Sequence, residues 1–432
     1  MLGRWRLRLE PDLSRFKFLH TADIHLDSPL RGLSRYEGVP ADEVRIATRT
    51  ALDNLVRLAI EEGVAFVVIA GDLYDGDWPD FGTGLYFCAA MGRLAKAGIA
   101  VFLLYGNHDA ESVLTRKLPL PDNVQVFGTR KAATLVHEPT GTALHGWSYR
   151  DRDMRDNLAA GYPAAIAGRL NIGVLHTALT GRPPHAGYAP CTVSELVAKG
   201  YEYWALGHAH EFELIATRPF IVFPGNLQAR NIREGGEKGA VLVTVEHDRI
   251  VDTPVLVPLD AVRWARVDVD VGGVEDEDEC HRRIRDALDQ AYDGLAHGRA
   301  LVVRLTIAGA TPIHADLGRR RDALREEVRG IAVAISERLW IEKVVIRTSA
   351  PLGDAAGDTG LTDELGQLLV DSAGDAELDA ALAQELAEFF AKLPPDLGDD
   401  DEAFAALKAG DRAALIGDAV AALQARLAGT AG

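Results

Sequence analysis

Cysteine is scarce: three residues in 432, Cys88, Cys191 and Cys280, lie far apart with no CxxC spacing. That excludes a disulfide frame and leaves reduced thiols, as expected of a cytoplasmic protein. No apolar run reaches membrane-spanning length. Met1–Arg15 carries charges on both sides of Trp5 and Leu7, lacks the apolar centre of a signal peptide, and reads as an N-terminal extension. Internal repeats of solenoid type are missing. The segment Gly235-Gly236-Glu237-Lys238-Gly239 lacks P-loop spacing and reads as a hairpin turn. Positive charge is in deficit as well, with a formal net charge of −18. Its distribution is uneven: residues 351–432 hold 17 Asp and Glu against four Lys and Arg, so the tail carries −13 and the rest only −5. The acidity therefore does not exclude a polyanionic substrate.

What is present suits a globular chain of two or three domains, with 47% hydrophobic and 25% charged residues. Continuous apolar runs at Phe16–Leu19, Val64–Ala70 and Ile99–Tyr105 predict buried strands. Helical spacing is found at residues 42–62 and again through Leu85, Cys88, Met91 and Leu94. Strands then dominate: Val124–Phe127, Ala143–Trp147, Ile172–Leu175, Tyr203–Leu206, Ile221–Phe223 and Ala240–Val245. Strand–helix alternation giving way to strands predicts an α/β sandwich of two sheets flanked by helices, over residues 16–258. Residues 259–350 predict a smaller β-α-β-α-β domain, with helices at Asp276–Ala296 and Asp316–Glu337. Residues 351–360 read as a linker, and 361–432 as an acidic helical tail.

Five short motifs each end a predicted strand: Asp23-Ile24-His25, Gly71-Asp72-Leu73-Tyr74-Asp75, Gly106-Asn107-His108-Asp109, Gly173-Val174-Leu175-His176 and Gly207-His208-Ala209-His210. Residues two apart at a strand end project to the same side. Asp23 with His25, and His208 with His210, can thus serve one site or neighbouring ones. Asp72 offers two carboxylate oxygens and can bridge. Two divalent cations bring about +4 against −2 from the two carboxylates, while Asn107 and neutral His176, His208, His210 and His25 add none; the surplus attracts a phosphate diester. Such nitrogen and oxygen donors suit Mn, Fe, Co or Zn better than Mg or Ca.

This ordered set resembles the calcineurin-like metallophosphoesterases. His20–Leu26 and Gly207–His210 are more narrowly similar to the SbcD-type DNA repair exonucleases. Phe223-Pro224-Gly225-Asn226-Leu227-Gln228, with Arg230, Arg233, Glu234 and Gly239 following, is similar to the YhaO-like branch. The resemblance covers residues 16–258 well and the second domain more loosely. It implies an αββα sandwich with a smaller α/β capping domain. It implies a first metal, most often Mn2+, held by Asp23, His25, Asp72 and His210, and a second held by Asp72, Asn107, His176 and His208. His108 is implied as the general acid, and Asp75 fits as the carboxylate that orients it. Nuclease members often carry His where Asp75 stands, so the carboxylate is a departure.

Expected activity is Mn-dependent exonuclease or endonuclease cleavage of DNA in double-strand-break processing. The alternatives are a two-metal phosphodiesterase for a small nucleotide or cyclic diester, and a non-catalytic assembly subunit that keeps the fold. A protein Ser/Thr phosphatase is disfavoured, since Gly76 stands where such enzymes carry Arg. Arg31, Arg35, Arg150, Arg230 and Arg233, with Arg152 and Arg155, lie in predicted loops and are candidates for DNA phosphates; Trp78 and Trp147 are candidates for base stacking or core packing. His20 is expected to pack behind the first motif, His145 to be structural, and His137, His185, His247, His281, His297 and His314 to lie on the surface. The apolar residues within Leu361–Leu393 are expected to pack on the enzyme or to dock an SMC-like ATPase of the SbcC or YhaN type, the partner the family implies. A homodimer is likewise implied by the family.

Overall fold

A computed structural model describes residues 15–30, 41–76, 81–111, 119–180 and 188–351, the helix at 375–390, and isolated positions between 368 and 420. The N-terminal extension up to residue 14, Arg31, Arg35, Trp78, His185 and the linker from residue 352 onward lie outside the described residues. Two compact units result: residues up to 230 with 234–264 and 298–300, and residues 231–233 with 265–297 and 301 onward. Among the described residues no helix is long and apolar enough to cross a membrane.

The first unit is built on two sheets. In the larger, β1 (Arg15–Thr21), β2 (Phe66–Ala70), β3 (Ala100–Leu104) and β4 (Val124–Val126) run parallel in that order. Helices α1 (Ala41–Glu61) and α2 (Gly82–Lys96) make the crossovers, and α3 (Asn107–Glu111) is one short turn after β3. The second sheet holds β5 (Ala133–His137), β6 (Thr142–Gly146), β7 (Asn171–His176), β8 (Tyr203–Gly207), β9 (Phe212–Thr217) and β10 (Phe220–Pro224), with α4 (Val193–Ala198) between β7 and β8. β11 (Gly239–Glu246) returns antiparallel beside β1, and the short strands β12 (Arg249–Ile250) and β13 (Val255–Pro258) pair with it.

Alternation along each strand makes the layers. Phe18, Phe66 and Phe102 point inward to meet Leu144, Ile172 and Tyr203 of the second sheet. Leu19, Val67 and Leu103 point outward to Leu52 and Leu55 of α1 and to Phe87 and Met91 of α2. The outer face of the second sheet buries Leu175, Trp204 and Phe223 with Leu196 of α4. With both faces covered, all five residues of β2 are buried, which is why the strand reads as one apolar run. The order helix, sheet, sheet, helix is the αββα sandwich.

Four strands escape the sequence pattern, among them the two-residue β12. β5 and β9 are mostly half-buried and β13 is four residues long, so none makes a buried apolar run. Two expectations are corrected. His137 is not on the surface: it is buried, shares a 2.8 Å hydrogen bond with Thr140 Oγ1, and packs its ring on Phe66. The segment 235–239 is not a hairpin turn but the entry to β11, where a Cβ on Gly239 would come within 1.9 Å of the Val257 carbonyl oxygen.

In the second unit β14 (Val262–Asp270), β15 (Ala300–Ala310) and β16 (Leu339–Ser349) form one sheet, with β15 parallel to β16. Helix α5 (Glu277–Leu295) is capped by Asp276, whose side chain accepts from the Glu279 amide. The single helix expected over 316–337 is two, α6 (His314–Arg319) and α7 (Arg321–Ile335), because Arg320 (φ −99°, ψ 23°) leaves helical geometry. Ile284 and Leu288 of α5 and Val328 of α7 close over Val303 and Leu305. In the tail, α8 (Ala376–Phe390) half-buries Leu382, Leu386 and Phe390 along one face. Phe390 meets Phe404 edge-on at 5.3 Å, and Arg412 donates two 2.6 Å bonds to Asp379. Residues of the tail helix thus contact described residues further along the tail.

Phe66 stacks on Phe18 at 5.0 Å and meets Phe102 edge-on at 5.7 Å. Phe66→Ala is expected to cost about 3–5 kcal/mol of unfolding free energy in chemical denaturation; a loss below about 1 kcal/mol would show that the two sheets do not share this core.

Candidate metal centre

The ends of β1, β2 and β3 lie side by side, with Thr21 opposite Ile69 and Ala70 opposite Leu104. The first three motifs therefore emerge at one edge of the first sheet. In the second sheet His176 is opposite Gly207, so the last two motifs emerge together. The two edges meet: His176 Nδ1 donates to the Ala70 carbonyl across the sandwich at 3.0 Å. Contact is close enough that glycine is required at the seams. A Cβ on Gly207 would come within 2.0 Å of the Ala70 carbonyl oxygen, and one on Gly106 within 2.3 Å of Asp72 Oδ1.

Four of the expected donors sit in the left-handed region: Asp23 (φ 48°), His25 (φ 44°), Asp72 (φ 51°) and His208 (φ 106°). Each such residue costs about 1–3 kcal/mol and persists only where its surroundings hold it. Here the Asp23 amide donates to the Gly71 carbonyl at 2.9 Å and the His25 amide to that of Asp72 at 3.1 Å. The His208 amide donates to Asp23 Oδ2 at 2.8 Å. Asp109 adds a further clamp, buried and accepting from the amides of Leu73, Tyr74 and Gly106. Burial and the nearby Asp72 charge push its carboxyl up to about 7 in spite of those bonds.

All seven expected donors converge. Ligand atoms of Asp23, His25 and His210 lie within 4.8 Å of one another, and so do those of Asp72, His176 and His208. Asn107 Oδ1 is 2.9 Å from His176 Nε2. The hydrogen-bond chemistry tests whether cations fit. A carbonyl only accepts, so His176 carries its proton on Nδ1 and turns the Nε2 lone pair toward Asn107 Oδ1 and, at 3.4 Å, Asp72 Oδ2. A lone pair facing two oxygens is repulsive unless a proton or a cation intervenes. Burial disfavours the imidazolium, yet Asp72 outweighs it and draws His176 up to about 9; a divalent ion would take the place of that proton. In the other cluster His25 Nε2 faces His210 Nε2 at 3.4 Å, while Asp23 Oδ1 and His25 Nδ1 are buried without a hydrogen bond. Burial holds the Asp23 carboxyl up at about 6. The residues fit a pair of divalent ions.

His108, next to Asn107, stands edge-on to His25 at 5.0 Å, and its Nδ1 is 3.1 Å from Asp75 Oδ1. Ser28 Oγ donates to Asp75 Oδ2 at 2.8 Å, which fixes the carboxylate. Burial lowers the His108 pKa, but the bond to Asp75 and the charge of Asp72 outweigh it and leave the group above its ordinary value. Burial likewise raises Asp75, and His108, His25 and Arg230 more than reverse this, holding it well below the usual carboxylate range.

Other expected residues fall in different places. His20 lies behind the site, with ring nitrogens 3.0 Å from Tyr203 Oη and the Leu206 carbonyl; burial lowers it to about 3. His145 is structural, held by Thr134 and Asn171. Trp147 is half-buried and donates to the Thr129 carbonyl. Arg150 and Arg155 are exposed and paired with Asp151 and Asp153, and Arg233 is exposed. Arg230 does not have the solvent-facing place expected of it. It is largely buried at the centre, 3.0 Å from Glu234 and 3.7 Å from Asp75. Glu234 has no role readable from its spacing, yet it is buried and 2.8 Å from His210 Nδ1; its placement four residues after Arg230 is the one local signal.

A family model for calcineurin-like phosphoesterases matches residues 16–212, and one for the middle domain of metallophosphoesterase YhaO matches residues 264–349. The chain is 31% identical over 304 residues to the uncharacterized metallophosphoesterase YhaO of Bacillus subtilis (strain 168), spanning 69% of this chain and 73% of that protein. Partial likenesses to solved structures include a dimetal phosphatase from Danio rerio (11% identity, 54% of this chain, 93% of that one, TM-score 0.33). Another is a protein from Thermus thermophilus (14% identity, 54% and 99%, TM-score 0.30). The chain belongs to the calcineurin-like phosphoesterases, a family of metal-dependent hydrolases of phosphoesters. Within that family it is of the YhaO-like branch.

Asp72→Ala is expected to remove the partner of His176 and with it the tighter uptake of metal. Titrating chelator-stripped protein with MnCl2 in a calorimeter should give two equivalents for the wild type and at most one for the variant; two equivalents for both would remove Asp72 from the ligand set.

Proposed function

We propose that the chain hydrolyses DNA phosphodiesters with Mn2+ as its metal, in the processing of DNA breaks. The observation that carries the hydrolytic reading is the convergence of seven donors on a wall that also holds His108 in the grip of Asp75. When bound, two divalent ions would supply the charge that draws in a phosphate diester and acidifies a water. The chain's own part is positional. Asp23, His25 and His210 would hold one ion, Asn107, His176 and His208 the other, with Asp72 reaching both. Asp75 holds Nδ1 of His108, which leaves Nε2 to donate to the leaving sugar oxygen.

The polymer is supported by the likeness of His20–Leu26 and Gly207–His210 to SbcD-type exonucleases, and by a net charge of only −5 outside the acidic tail. A small nucleotide or cyclic diester is the second reading, since the same donors serve either substrate. A non-catalytic role is disfavoured because no donor or acid position has been lost. The wider reading includes a cytoplasmic location, a homodimer, and docking of an SMC-like ATPase on the tail.

End-labelled linear DNA should be degraded in the presence of Mn2+, faster than a generic diester such as bis(p-nitrophenyl) phosphate. His108→Ala should lower the rate about 10²–10⁴-fold, typical of a lost general acid, with metal uptake intact. Activity on the small diester alone would favour the second reading, and a normal rate in the variant would remove His108 from the chemistry.

Deleting residues 361–432 should abolish co-purification with an SMC-like ATPase while diesterase activity persists. Unchanged binding would place the docking surface elsewhere.

A further inference from the structure

Glu234 is the most completely engaged side chain near the metal centre. Its Oε1 accepts from His210 Nδ1 at 2.8 Å and from Arg230 Nη2 at 3.0 Å. Its Oε2 accepts from the Arg230 backbone amide and from Asn226 Nδ2, both at 2.7 Å. The carboxylate is buried, and its charge is sustained by these donors, the His210 hydrogen bond first and then the Arg230 guanidinium. It cannot turn away from His210 without abandoning buried hydrogen bonds. Two groups face His210 Nδ1, the acceptor Glu234 Oε1 at 2.8 Å and the donor Arg230 Nη2 at 3.3 Å. The shorter contact, to a carboxylate that only accepts, puts the His210 proton on Nδ1, and the Nε2 lone pair then points to His25 Nε2 at 3.4 Å and Asp23 Oδ1 at 3.8 Å.

We propose that Glu234 is a positioning residue that locks His210 in the ligating tautomer and strengthens it as a donor. A carboxylate behind a ligating imidazole fixes its ring and raises its basicity. Arg230 neutralises Glu234 and also approaches Asp75 at 3.7 Å. The partner of the acid His108 and the support of the ligand His210 thus share one cation. This rests on the reading that Asp23, His25 and His210 hold an ion; it concerns how tightly, and does not depend on the substrate.

The isosteric Glu234→Gln tests it, with Glu234→Ala as the second variant. Full-length protein is stripped with chelator, shown to be folded by circular dichroism, and titrated with MnCl2 by calorimetry. Loss of a carboxylate behind a ligand typically weakens metal about 10–100-fold, so one of the two equivalents should weaken by that factor in either variant while the other keeps its affinity. In histidine-labelled, metal-free protein, the nitrogen shifts of His210 should report Nδ1–H in the wild type and a mixture of tautomers in Glu234→Ala. Wild-type affinity for both equivalents in Glu234→Gln, or an unchanged His210 tautomer in Glu234→Ala, would overturn the proposal. A wild-type chain that takes up no Mn2+ would instead overturn the metal-site reading on which it rests.

Discussion

Ring nitrogens crowded against one another and against oxygens at one edge of the sandwich are the constraint around which the rest of this structure is arranged. His25 and His210 bring their Nε2 atoms to 3.4 Å, and His176 turns its own toward two oxygens. Where water has little access such groups are costly unless a proton or a cation stands between them. Two features hold the arrangement: second partners on the far ring nitrogens, supplied by the Ala70 carbonyl and Glu234, and four strained backbone positions pinned by hydrogen bonds between the loops. Both depend on a scaffold that does not yield.

The scaffold is the double sheet. Its inner layer of Phe18, Phe66, Phe102, Ile172 and Tyr203 sets the distance between the sheets, and that distance decides whether His176 can reach Ala70. Parallel strands in each sheet deliver their loops to a single edge, so five motifs far apart in the chain arrive together. Gly106 and Gly207 mark where the approach is closest, and a methyl group at either would force the seams open. Packing, strain and ligand geometry are therefore one problem with one solution.

Much of this is legible in the residues alone, for identifiable reasons. A strand buried on both faces is an apolar run, and a motif at its end inherits its direction, so β1, β2, β3, β7 and β8 and the donors after them can be read from residue types. Strands at half-buried positions cannot: β5 and β9 lack the run, and β13 is short. His137 escapes because a lone histidine at the end of a half-buried strand has no signature of the aromatic neighbours that bury it. Arg230 escapes because an arginine in a predicted loop looks the same whether it faces water or a carboxylate.

The sequence by itself determined the candidate donors and their order, since short motifs tied to strand ends carry their chemistry locally, while the part expected of His108 comes from the family resemblance. Only the tertiary structure decided which donors share a cluster, which tautomers His176 and His210 hold, and that Glu234 and Arg230 belong to the centre. Those depend on contacts between residues far apart in the chain, His176 with Ala70 and His210 with Glu234. A linear pattern records no such distances, because they are set by how two sheets pack and not by any residue's neighbours along the chain.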